Sequence, residues 1–136
     1  MERPIVHDQF RLSQKSVPAT IYDVPVADDL KDTLIANRVT CVGMAANMIG
    51  KNVAIIAFLE KGLPVEMFNP IIVEKKGPYQ ASESCLSVAG THDATRYREI
   101  TVEWQDRKFR KHRKQYVGFT AQIIQHEIDH CSGILI

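Results

Sequence analysis

Gln125-His126-Glu127-Ile128-Asp129-His130 sets two imidazoles four positions apart, with a carboxylate directly after the first. On an α-helix, positions i and i+4 share a face, so both histidines can reach one cation. Glu127 then stands close enough to handle a proton on a water activated by that cation. The flanks supply the helix. Phe119, Ile123, Ile124 and Ile128 recur at helical spacing and Gly133 follows as a C-terminal stop, which predicts a helix over about 119–131 with those four side chains packed inward.

Upstream, the pattern changes period. Asp28 can cap a helix over about 29–37, with Leu30, Leu34 and Ile35 at helical spacing. Residues 39–50 read as a loop whose small residues, Gly43, Ala45, Ala46 and Gly50, let backbone approach a ligand or another segment. A buried strand over 53–59, a turn at Gly62, a second strand ending at Asn69-Pro70 and a third over 71–75 predict an antiparallel meander, ended by Gly77-Pro78. A polar loop to about Tyr97 precedes a strand over 99–105 with alternating Ile100, Val102 and Trp104, and a basic turn leads to Tyr116 and Val117. Strands followed by a helix, without βαβ alternation, give an α+β fold: antiparallel sheets packed around a C-terminal metal-binding helix.

Composition narrows the function. With 136 residues, 45% of them apolar, the chain reads as one domain over 1–136 that can bury roughly two thirds of its unfolded surface. Seventeen Lys and Arg against sixteen Asp and Glu leave a formal charge of +1, which argues against DNA or a membrane and for a small partner. Met1 to Phe10 has no apolar core of a signal peptide, and the longest apolar run, 53–59, is too short to span a bilayer, so a cytoplasmic location is expected. Three cysteines, Cys41, Cys85 and Cys131, fit a reducing compartment.

A metal held by His126 and His130 needs a third protein ligand. The six residues after His130 include no histidine or carboxylate, and Cys131 follows its neighbour by about 100° around the helix, away from the ligating face. The ligand is expected upstream, and Cys85 in Glu83-Ser84-Cys85-Leu86-Ser87 is the best candidate. One thiolate and two imidazoles leave a fourth position for water, the arrangement of a catalytic site.

Three ordered segments, Gly43-Met44-Ala45-Ala46-Asn47-Met48-Ile49-Gly50, Glu83 to Ser87 and Gln125 to His130, resemble the motifs of the peptide deformylase family, and Met67-Phe68-Asn69-Pro70 resembles its strand leading into an Asn-Pro pair. The resemblance covers about 30–133. It implies removal of the formyl group from the N-terminal methionine of nascent polypeptides. It places the metal ligands on Cys85, His126 and His130, the catalytic carboxylate on Glu127, an oxyanion donor on the Leu86 backbone N–H, and substrate contacts at Gly43, Met48, Ile123 and Arg96. Arg96 has the alternative of simply pinning its loop. The implied ion is Fe2+, with Zn2+, Ni2+ or Co2+ able to occupy the same set, and the donor chemistry does not choose among them.

The sequence departs from the family at three positions. Met48 stands where a glutamine amide completes the oxyanion site, and losing one such donor typically costs about 10² to 10³ in turnover. Cys41 and Ser84 stand where glycines are usual. Asn47 is a candidate for the missing amide. The expectation is therefore a slow or differently built deformylase, with a non-cleaving binder of formylated or methionyl peptides as the alternative; a structural zinc module would need a fourth ligand such as Cys41 or His92.

Bland readings stand beside these. Cys41 and Cys131 read as packing residues, and His7, His92 and His112 as solvated. Gln125 either orients a ligand or lies on the helix surface. Arg107, Lys108, Arg110, Lys111, Arg113 and Lys114 either touch ribosomal RNA transiently or form a charged hairpin tip that protects a sheet edge. A monomer or a weak homodimer is expected.

Overall fold

The computed structural model describes residues 1–136. Its centre is a five-stranded antiparallel sheet in simple meander order, β1 (Gly43–Ala45), β2 (Ile55–Glu60), β3 (Leu63–Ser84), β4 (Thr91–Gln105) and β5 (Lys111–Val117). Three helices accompany it: α1 (Gln9–Leu12), α2 (Val24–Ala36) and α3 (Gly118–Cys131). The expected α+β class and C-terminal helix are present, but one sheet replaces the several anticipated.

β2 divides the core. Because side chains alternate across a strand, Ile55 and Ala57 enter one apolar cluster with Leu30 and Leu34 of α2, Met44, Met48 and Phe68. Ile56 and Phe58 enter a second cluster with Met67, Ile100, Val102, Tyr116 and the α3 residues Ala121, Ile123 and Ile124. Buried on both faces, β2 reads as a continuous apolar run rather than an alternating one. α2 and α3 thus pack on opposite sides of it.

Several boundaries differ from the sequence reading. α2 begins at Val24, five residues before the expected start, because Pro25 occupies its first turn, where a missing N–H costs nothing. Asp28 is no cap and instead pairs with Arg107. The expected loop over 39–50 contains β1 and a 3₁₀ turn, Ala46–Ile49, since pairing with β2 makes Gly43–Ala45 a strand. The two strands expected over 63–75 are one, and β3 runs through Gly77-Pro78 to Ser84. Asn69 at φ 52° and Gly77 at φ +74° accommodate left-handed backbone inside the strand, with the register against β4 shifting between Phe68 and Ile71 and between Ile72 and Glu74. β4 likewise starts at Thr91, inside the expected polar loop.

Asn69 also ties the N-terminal segment down. Its Oδ1 accepts from the Ala19 N–H at 2.7 Å, while its Nδ2 donates to Ala19 O and Gln105 Oε1. At the far end of α3, Gly133 at φ +79° sits where an added Cβ would lie 2.4 Å from Ser13 O, so only glycine closes that corner.

Candidate active site

The end of β3, the loop after it and α3 meet at one point. Cys85, two residues beyond the buried Glu83, presents Sγ 3.3 Å from His130 Nε2, which lies 3.2 Å from His126 Nε2. All three donor atoms fall within 4.8 Å of one another. Bonds of about 2.0–2.3 Å to a tetrahedral cation place neighbouring donors roughly 3.3–3.6 Å apart, so this spacing fits one ion.

Protonation chemistry supports the same fit. Burial lowers His130 to about 3, leaving it neutral with one nitrogen lone pair to offer. Burial would also lower His126, but the Cys85 sulfur and the Glu83 carboxylate outweigh it and favour positive charge there. A cation at the shared point would supply that charge in a proton's place. The Cys41 and Cys131 thiols are both pushed up to about 12 by burial, which leaves them as unreactive packing groups.

Glu83 holds the first histidine. Its Oε1 accepts from His126 Nδ1 at 2.9 Å, the carboxylate–imidazole arrangement that fixes which nitrogen faces a metal. Although burial alone would raise it, hydrogen bonds from His126, Arg96 and Gln122 hold Glu83 at about 2. Arg96, only 3% exposed, places Nε and Nη2 on Glu83 and Nη1 on Asp129 Oδ2 at 2.6 Å.

A cavity of about 500 Å³ opens in front of these groups, lined by Thr40 to Gly43, Ser82 to Leu86, Phe119, Gln122, Ile123, His126 and Glu127. Glu127 is buried, its Oε1 has no hydrogen-bond partner, and burial raises it to about 7, so near neutral pH it can take and return a proton.

Of the expected substrate contacts, Gly43 and Ile123 line the cavity; Met48 and Arg96 do not. Met48 is fully buried in the α2 cluster, with its Sδ 3.5 Å from the Ala45 N–H. Arg96 is consumed by its two carboxylates and pins β4 to α3. Asn47 offers no amide to the cavity, since its Nδ2 donates to His130 O at 2.8 Å. Phe119, expected inward, is 63% exposed at the cavity rim. Gln125 exchanges hydrogen bonds with the Tyr97 backbone and so fastens α3 to β4 rather than orienting a ligand. Leu86 lies on the wall, and Gln122, which the sequence did not single out, is among the lining residues.

The family model for polypeptide deformylase matches residues 3–136. The chain belongs to the peptide deformylase family. A peptide deformylase from Clostridium beijerinckii is 52% identical over 136 residues, covering both chains completely. The crystal structure of a peptide deformylase from Legionella pneumophila superposes with a TM-score of 0.89 at 30% identity, covering 99% of this chain and 83% of that one. The fold is shared too with a class I type b peptide deformylase from Acinetobacter baumannii solved with Met-Ala-Ser bound, at TM-score 0.88 and 24% identity over 99% of this chain and 97% of that one.

Proposed function

We propose that residues 1–136 form a single catalytic domain that hydrolyses the formyl group from the N-terminal methionine of nascent polypeptides, releasing formate. The observation that carries this reading is the convergence of the Cys85 sulfur and two imidazole nitrogens, with Cys85 and His126 on the wall of an open cavity beside Glu127. Family membership supplies the reaction class, and the geometry supplies the roles.

Cys85, His126 and His130 would hold the ion, Fe2+ in our reading, with Zn2+, Ni2+ or Co2+ accepted by the same donors. When bound, such an ion supplies Lewis acidity that acidifies water and polarises a carbonyl. Glu127 takes the proton of the attacking water and returns it to the departing amine. The Leu86 N–H donates to the developing oxyanion. Met48, buried away from the cavity, supplies no side-chain amide to that oxyanion. Glu83 and Arg96 keep the His126 ring in place.

A nascent-chain substrate supports a cytoplasmic location; no helix is long and apolar enough to cross a membrane. The basic hairpin favours the charged-tip reading over ribosomal RNA. Arg107 pairs with Glu66 and Asp28, Arg110 with Asp106, and Arg113 with Glu74 and Glu103.

The test is formate release from a formyl-methionyl peptide by anaerobically purified, iron-loaded protein. Formate above the Glu127→Gln background supports the reading. Bound metal and peptide without formate would overturn it in favour of a non-cleaving binder.

A further inference from the structure

Gln122 occupies an unusual place, on the cavity wall and in the hydrogen-bond network behind a proposed ligand. Its Nε2 donates to Glu83 Oε2 at 2.9 Å, and its Oε1 accepts from the Tyr79 hydroxyl at 3.2 Å. A carboxylate only accepts, so the amide has one sensible orientation here, nitrogen toward Glu83.

Glu83 needs that bond. Its Oε1 receives His126 Nδ1 and Arg96 Nη2, at 2.9 and 2.7 Å. Its Oε2 receives Gln122 Nε2 and Arg96 Nε, and the latter, at 3.0 Å, is shared with Oε1 at 3.1 Å. Gln122 is therefore the donor that Oε2 does not share. Without it the carboxylate can pivot about the Arg96 fork, and the pivot moves Oε1, the atom on which the His126 ring rests.

We infer that Gln122 is a positioning residue that fixes the His126 ring through Glu83, and that Tyr79 in turn fixes Gln122. The inference rests on the reading of His126 as a metal ligand. The chain runs from the β3 side chain Tyr79 through Gln122 on α3, back to Glu83 on β3, and so to His126. It crosses between strand and helix three times, locking the two elements that deliver the ligands.

Tyr79→Phe, Gln122→Met and the double variant test it by Co2+ titration against a competing chelator. Methionine keeps the length and removes the amide. Loss of a partner behind a ligand typically weakens metal binding by about 10- to 100-fold, so Gln122→Met is expected to bind Co2+ at least about tenfold more weakly. Tyr79→Phe should lose less, and the double variant should match Gln122→Met, because Tyr79 acts only through the amide. The thiolate-to-cobalt absorption should persist in all three, since Cys85 is untouched. A general loosening of the fold would give additive losses instead.

Co2+ affinity within twofold of the parent for Gln122→Met overturns the inference, including the case in which only KM for the formyl peptide rises and Gln122 is a cavity wall alone. Additive losses overturn the Tyr79 step. Should Gln122→Met fail to fold, unchanged Co2+ affinity in Tyr79→Phe overturns the chain by itself. A Cys85→Ser control separates the two levels: if it binds Co2+ as tightly as the parent, the ligand assignment falls first and this inference with it.

Discussion

Gly43 and Glu127 are packed so closely that a Cβ on residue 43 would lie 2.8 Å from Glu127 Oε2, and 2.6 Å from Ile123 Cγ2. The constraint is space, because one methyl group has nowhere to go between β1 and α3. Gly43→Ala must push Glu127 or Ile123 aside. A displacement near 1 Å at a reacting group can cost about 10²-fold, so kcat/KM on a formyl-methionyl peptide should fall by about that factor. Overpacking should also lower stability by about 1–3 kcal/mol. In a Glu127→Gln background the same substitution should cost far less activity, since the displaced carboxylate is already gone. An additive loss there would show that Gly43 acts through something else.

Glu127→Gln itself keeps the shape of the side chain and removes its basicity. Turnover should drop by about 10²–10⁴, the usual range for a positioned acid–base group. Glu127 is not among the converging donors, so metal content by elemental analysis should match the parent. Loss of metal in this variant would mean that Glu127 holds the ion rather than moves a proton.

Arg96 sits between two carboxylates, Glu83 and Asp129, and is almost wholly buried. Arg96→Leu leaves the buried Glu83 charge without its guanidinium, and removing one partner of a buried pair typically costs about 3–5 kcal/mol. Urea unfolding should show that loss. Arg96→Lys should recover only part of it, because an ammonium cannot make the two-pronged contact. A loss below 1 kcal/mol would indicate that Gln122 and solvent compensate.

The legibility of this chain followed the reach of its determinants. α3 was readable to within a residue because apolar spacing and the His126/His130 pair are local. β1 was not, since three residues become a strand only when β2 lies beside them. Gly77-Pro78 misled because punctuation that ends most strands is here absorbed as left-handed backbone within β3. The convergence of Cys85 on the histidine pair was legible from its segment and from elimination. Gln122 was invisible for a different reason: a glutamine at a helix position looks solvated until Glu83 and Tyr79, some forty residues away, are brought to it.

The buried acids and histidines make the metal-stripped protein sensitive to pH in a defined direction. Glu83 falls from an ordinary 4.5 to about 2 on folding, so it contributes stability above pH 4.5 that disappears as pH drops toward 2. His130 falls from 6.5 to about 3, so its protonation favours the unfolded chain and stability is lost from pH 6.5 downward. Glu127 works the other way. Its rise from 4.5 to about 7 means that the fold resists ionising it, a penalty relieved as pH falls from 7 to 4.5. Chelated protein should therefore lose urea resistance only gently between pH 7 and 5, and steeply below 4.5. Glu127→Gln removes the opposing contribution, so its stability should begin to fall at higher pH than the parent's. Bound metal keeps His130 unprotonated, and the holo-protein should hold its urea midpoint to lower pH than either. Coincident curves for parent and Glu127→Gln would show that Glu127 titrates near its ordinary value and is not the desolvated group its surroundings describe.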